Sequence, residues 1–164
     1  MAGGLALLPS CLKESGKSSI ALENIAVTLD EENLLADIAE TIIPRTKTPG
    51  AKELKLQLYV LKMLDDCHEK TEQDQFIAGL GQLKDQIYDK YSKSFSKLSA
   101  SQQKGILMAL ESNKNSGPEL STFYKIMKDR TIDGYLNSKY VMTKLIIWEL
   151  VPGRYNGYFP VKSA

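Results

Sequence analysis

The chain has a single histidine, His68, and only two cysteines, Cys11 and Cys67. That scarcity excludes much chemistry. Hydrolytic triads and most metal sites need at least one well-placed histidine with partners, and a cysteine-only zinc site needs four ligands. A disulfide-dense scaffold is excluded on the same ground. His68 reads as an ordinary surface histidine at a helix end, where a cation suits the dipole. Neither charge sign is in surplus: Lys+Arg 21 against Asp+Glu 20 leaves +1, too little to draw in nucleic acid. No apolar run approaches the ~20 residues of a bilayer span, since Ile146–Ile147–Trp148 is cut off by Glu149. There is no G-x-G-x-x-G and no P-loop; Gly79 and Gly81 share a G-x-G spacing but sit inside a helical pattern with no strand before them. Cys67–His68 matches the end of the C-x-x-C-H haem-attachment motif, yet Leu64 stands where its first cysteine belongs. The expectation is a chain with no cofactor, metal or catalytic residues of its own.

What is present is enough apolar material for one core. A hydrophobic fraction of 43% over 164 residues suits a single domain. The first eleven residues run Met1–Ala2–Gly3–Gly4–Leu5–Ala6–Leu7–Leu8–Pro9–Ser10–Cys11. They resemble the end of a bacterial lipoprotein signal peptide, with Leu8, Ser10 and Cys11 at the positions before and at a lipidated cysteine. An apolar region without its basic flank leads to the expectation that Met1 is an internal methionine, with the natural start upstream and rich in Arg or Lys. The competing reading is a loose N-terminal segment with a buried Cys11. Lys13 to Asn24 is polar and reads as a tether, so residues 1–27 form leader and tether and residues 28–164 the folded domain. Export places the protein in the periplasm, with a lipid on Cys11 as its only membrane contact.

Within 28–164 the periodicity is helical. Thr28–Leu29–Asp30–Glu31 has capping-box spacing and opens a helix through Leu34, Leu35, Ile38, Ala39 and Ile42, which Pro44 ends. A second helix starts near Ala51 and carries Leu56, Tyr59, Val60, Met63, Leu64 and Cys67. A third, from about Glu72 to Phe95, aligns Phe76, Leu80, Leu83, Ile87, Tyr91 and Phe95. Gly79 and Gly81 either weaken it or let a neighbouring helix come close. Ser99 to Gln102 is a second capping box, leading into Ile106, Leu107 and Leu110. A fifth helix after Pro118 places Leu120, Phe123, Tyr124, Met127 and Thr131 inward, and a sixth from Ser138 groups Val141, Leu145 and Trp148. The class is all-α, a bundle of five to six helices with an irregular aromatic-rich C-terminal tail.

Two acidic clusters read as solvated helix ends: Asp30–Glu31–Glu32 at an N-terminus, where carboxylates belong, and Asp65–Asp66 near a C-terminus, with no role beyond solubility. The last quarter is crowded with aromatics. Either the tail folds back to complete the core, or it is a docking face, since aromatics and arginine are enriched where proteins bury surface against one another. On the second reading the partner interface comprises Trp148, Pro152, Gly153, Arg154, Tyr155, Tyr158 and Phe159.

The run Leu34–Leu35–Ala36–Asp37–Ile38–Ala39–Glu40–Thr41–Ile42–Ile43–Pro44, then Thr48–Pro49–Gly50–Ala51, resembles the opening of the gluconate 2-dehydrogenase subunit 3 family. Phe95, Leu98–Ser99, Gln102–Gln103 and Leu107 are similar to its middle. Phe123–Tyr124, Thr131, Gly134–Tyr135 and Val151–Pro152–Gly153–Arg154–Tyr155–Asn156–Gly157 are similar to its end. The resemblance spans roughly Glu31 to Val161. It implies a small exported helical subunit without catalytic residues. It also implies a large partner of the glucose–methanol–choline oxidoreductase type that holds FAD and oxidises a sugar or sugar acid, often beside a haem-bearing cytochrome c. The alternative is a free-standing helical periplasmic lipoprotein or binding module without a redox partner.

Overall fold

The computed structural model describes residues 16–112, 117–146, 153, 157 and 158. Among these the protein is all-α. Five α-helices, α1 (Leu29–Ile42), α2 (Leu56–Cys67), α3 (Lys70–Tyr91), α4 (Ala100–Ser112) and α5 (Pro118–Leu136), are joined by a 3₁₀ turn (Phe95–Lys97) and followed by a π-helical segment (Val141–Leu145). The sole β feature among them is one antiparallel bridge between Lys17 and Thr28.

Local chemistry sets the helix ends. At α1 the Thr28 hydroxyl accepts the Glu31 N–H at 3.2 Å while Glu31 accepts the Thr28 N–H at 3.0 Å. Ser99 and Gln102 repeat the exchange at α4, at 3.3 and 3.0 Å. Each box satisfies two donors that the first turn leaves orphaned. The helices α3 and α5 form the central pair. They lie antiparallel: Gly79 faces Glu119 and Phe123, while His68, just before α3, meets Arg130. Phe76 and Phe123 stack tilted, with ring centroids 4.9 Å apart. Around them Leu35, Ile38, Val60, Leu61, Leu64, Leu80, Leu83 and Met127 are at most 1% exposed.

Several boundaries differ from the sequence reading. Residues 51–55 form a turn, and Lys55 takes the left-handed conformation (φ 54°) before α2 begins at Leu56. Ser92, also left-handed (φ 50°), stops α3 at Tyr91. Phe95 therefore reaches the core from the separate 3₁₀ turn, even though its spacing continues the α3 stripe. Of the sixth helix, the described residues include the π-helical segment, in which Val141 is buried but Leu145 is 53% exposed, while Trp148 lies outside them. Cys67 is exposed rather than inward-facing.

The largest difference lies before α1. Residues 17–27, placed by sequence in a tether, are strapped onto the body. Ser18 donates its N–H to the Val27 carbonyl at 3.0 Å, and Leu29 donates to the Gly16 carbonyl at 2.7 Å. Ile25 and Val27 are 8% and 7% exposed. Two carboxylates hold this strap. Glu32 accepts the Ser18 and Ser19 hydroxyls and the Ser19 N–H at 2.7–2.8 Å. Asp65 accepts the N–H groups of Glu23, Asn24 and Ile25 at 2.9, 2.7 and 3.1 Å. Neither is a solvated helix end: Glu32 is 5% and Asp65 2% exposed. Burial pushes both carboxyls up, but the hydrogen bonds to their charged forms outweigh it and hold both below the ordinary carboxylate range.

Candidate docking site

Three surfaces have geometry beyond what packing requires. The first is a cleft of about 640 Å³ along the outer side of α5, where Cys67, His68 and Glu72 face Lys125, Asp129, Arg130, Ile132 and Asp133. His68 is not the surface histidine expected; its side chain is 10% exposed. Arginine has no acceptor, so the Arg130 Nε–H donates to His68 Nε2 at 3.2 Å. The other ring nitrogen, Nδ1, donates to a Glu72 carboxylate oxygen at 2.8 Å. Arg130 also donates to Asp133 at 3.1 Å. The buried Gln73 amide donates to the carbonyls of Leu64, Asp65 and His68, each at 3.1 Å, closing the end of α2. Glu72, His68, Arg130 and Asp133 thus form one chain of contacts that, with Gln73, braces α2 and α3 against α5. Among the described residues no group of three or more His, Cys, Asp or Glu is placed to hold a metal ion.

The second surface is the loop between α1 and α2. Glu40 accepts the Arg45 N–H at 2.9 Å and the Lys52 N–H at 2.8 Å, so one carboxylate staples both ends of the loop. Ala51 returns its N–H to Ile43 at 2.9 Å. A Cβ on Gly50 would lie 2.4 and 2.5 Å from the Glu40 oxygens and 2.6 Å from the Arg45 nitrogen, so only glycine fits there. Gly50→Ala is expected to lower stability by about 1–3 kcal/mol, read as a lower Tm and as faster hydrogen exchange at Arg45 and Lys52.

The third surface is the C-terminal end of α5. Ile132, Leu136, Leu145 and Ile146 are exposed by 37%, 50%, 53% and 46%. Of the residues expected at a partner interface, Gly153 and Tyr158 are described and exposed, Tyr158 by 97%. Trp148, Pro152, Arg154, Tyr155 and Phe159, and the lipidation candidate Cys11, lie outside the described residues. Sequence reasoning missed the His68–Arg130 bridge. The His68–Glu72 and Arg130–Asp133 spacings are legible as helical pairs, but 62 residues separate the two halves.

Much of the quoted sequence signature is explained by these contacts. Glu40 and Gly50 lock a loop, Ser99 and Gln102 cap a helix, and Gln103 holds the Phe95 carbonyl at 2.9 Å. Gly134 leaves room for the Tyr59 ring, which a Cβ would meet at 2.7 Å. The signature thus encodes an all-α scaffold that presents a stapled loop and an apolar helix end. The sequence profile of gluconate 2-dehydrogenase subunit 3 matches residues 29–153, most of the chain, and the protein belongs to that family. No curated protein and no solved structure matches it.

Proposed function

We propose that the chain is the non-catalytic small subunit of a gluconate 2-dehydrogenase-type complex that oxidises a sugar or sugar acid. It supports export, maturation or docking of a large flavoprotein of the glucose–methanol–choline oxidoreductase type. FAD resides in that partner, and haem in a cytochrome c where one is present. The complex works in the periplasm, with this subunit held to the membrane by a lipid on Cys11. The family match over residues 29–153 carries this reading. Two features support it. Four side chains of the cleft, His68, Glu72, Arg130 and Asp133, are engaged with one another, and four exposed apolar residues, Ile132, Leu136, Leu145 and Ile146, lie on the last turn of α5 and the segment after it. Partner contact falls to Leu136, Leu145 and Ile146 together with Trp148, Pro152, Gly153, Arg154, Tyr155, Tyr158 and Phe159.

A tagged chain is expected to bring down a large flavin-coloured subunit from its native host. Arg154→Ala with Tyr155→Ala should weaken that capture at least roughly tenfold, as loss of an interface anchor does, with Tm unchanged. Variants that fold and capture the partner as well as the parent would count against this interface. Capture of no flavoprotein at all would count against the function.

A further inference from the structure

We propose that the end of the bundle carrying Gly16, Leu29 and Tyr88 rests against the phospholipid surface that anchors Cys11, so that the far end of α5 points away from it. This rests on the lipidation of Cys11, and adds to it an orientation. The strap decides the matter. Because Gly16, Ser18 and Ser19 are fastened to α1, only Leu12, Lys13, Glu14 and Ser15 separate the anchor from the body. Five Cα–Cα steps reach at most about 18 Å. A domain of this size is about 35 Å across, so the tether is too short for its far end to turn toward the membrane.

What stands at the near end suits such a surface. Leu29 and Tyr88 are 41% and 66% exposed. Beside them a groove of about 600 Å³ is lined by Leu34, Ile87 and Phe95 together with Lys93 and with Lys84, which pairs with Glu31. A tyrosine and long lysines over apolar side chains is the combination that settles at the boundary between headgroups and acyl chains. Asp30, Asp37 and Asp85 also border the groove, one more than its two lysines, although Asp37 pairs with Lys52 outside it; the contact therefore rests on apolar burial rather than on charge and should tolerate salt. The antiparallel pairing sets the other end. Arg130 lies beside His68, near the start of α3, and Tyr88 lies about 25 Å further along that helix by its rise per residue. Leu136, beyond Arg130, is therefore at the opposite pole.

The test uses the full chain, expressed with a lipoprotein leader and reconstituted in phosphatidylethanolamine–phosphatidylglycerol vesicles with brominated acyl chains. Leu29→Trp, Tyr88→Trp and Leu136→Trp are each made in a Trp148→Phe background. Bromine should quench the first two at least twofold and leave the third unchanged. Ten Gly/Ser residues inserted after Ser15 should erase the difference. Acyl mass on Cys11 with equal quenching at all three positions, or with none, would overturn the orientation and leave the anchor standing. Absence of acyl mass on Cys11 would overturn both.

Discussion

Asp65→Ala is expected to destabilise the protein by about 3 kcal/mol, roughly the value of charge-assisted hydrogen bonds lost from a buried site. Three consecutive N–H groups, of Glu23, Asn24 and Ile25, converge on this carboxylate. Without it they must peel into water, carrying Ile25 and Val27 out of the core. Hydrogen exchange across residues 17–27 should accelerate before the rest of the fold responds. The neighbouring Asp66→Ala should leave Tm unchanged, because Asp66 is half exposed and pairs only with Lys62. Acid should mimic the loss. The folded pKa of Asp65 lies below its unfolded value, so its stabilisation is complete above the ordinary carboxylate pKa, about 4. It is lost as pH falls through the depressed folded value. Glu32 and Glu31 are shifted the same way and steepen the same limb. An Asp65→Asn variant, already weakened at neutral pH, should show a shallower decline below pH about 4. An equally steep acid limb in that variant would remove Asp65 from this role.

The second large effect is a contrast between two glycines of one helix. Alanine for glycine inside a helix ordinarily stabilises by about 0.5–1 kcal/mol. At Gly81 nothing lies within 4 Å of an added Cβ, so Gly81→Ala should raise Tm by about 2 °C. At Gly79 the same carbon would lie 2.4 Å from the Glu119 carbonyl oxygen and 2.6 Å from the Phe123 Cβ. Neither can step aside without moving α5. The overpacking cost, about 1–3 kcal/mol or more, exceeds the helical gain, and Gly79→Ala should lower Tm by about 5 °C. Changes of the same sign in the two variants would mean that α3 and α5 are not in such close contact there.

These glycines show how far the sequence could be read. Their shared spacing left two meanings open, a weakened helix or a close approach. The partner that decides between them, Glu119, lies 40 positions away by chain number (119 against 79). Features closed within one turn were legible. The capping boxes at Thr28–Glu31 and Ser99–Gln102 are such features, as is the inward row Leu120, Phe123, Tyr124, Met127 and Thr131. Phe95 falls outside α3 despite its spacing, because side-chain spacing carries on across a helix end that the Ser92 backbone marks. Asp65 and Glu32 have the sequence pattern of solvent-facing residues, because acidic residues at helix ends usually face solvent. Their true partners arrive from segments 40–42 and 13–14 residues away. The same distance hid the strap, whose polar composition resembles a tether until its hydroxyls and N–H groups are matched with carboxylates.

On the proposed function, this polypeptide packs and docks, while redox chemistry belongs to its partner. The direct measurement is the flavin content and sugar-dependent acceptor reduction of the purified chain, set beside those of the co-purified complex. Stoichiometric flavin and activity in the complex, with neither in the chain alone, is the predicted result. Flavin retained by the isolated chain, or sugar oxidised by it unaided, would contradict the account.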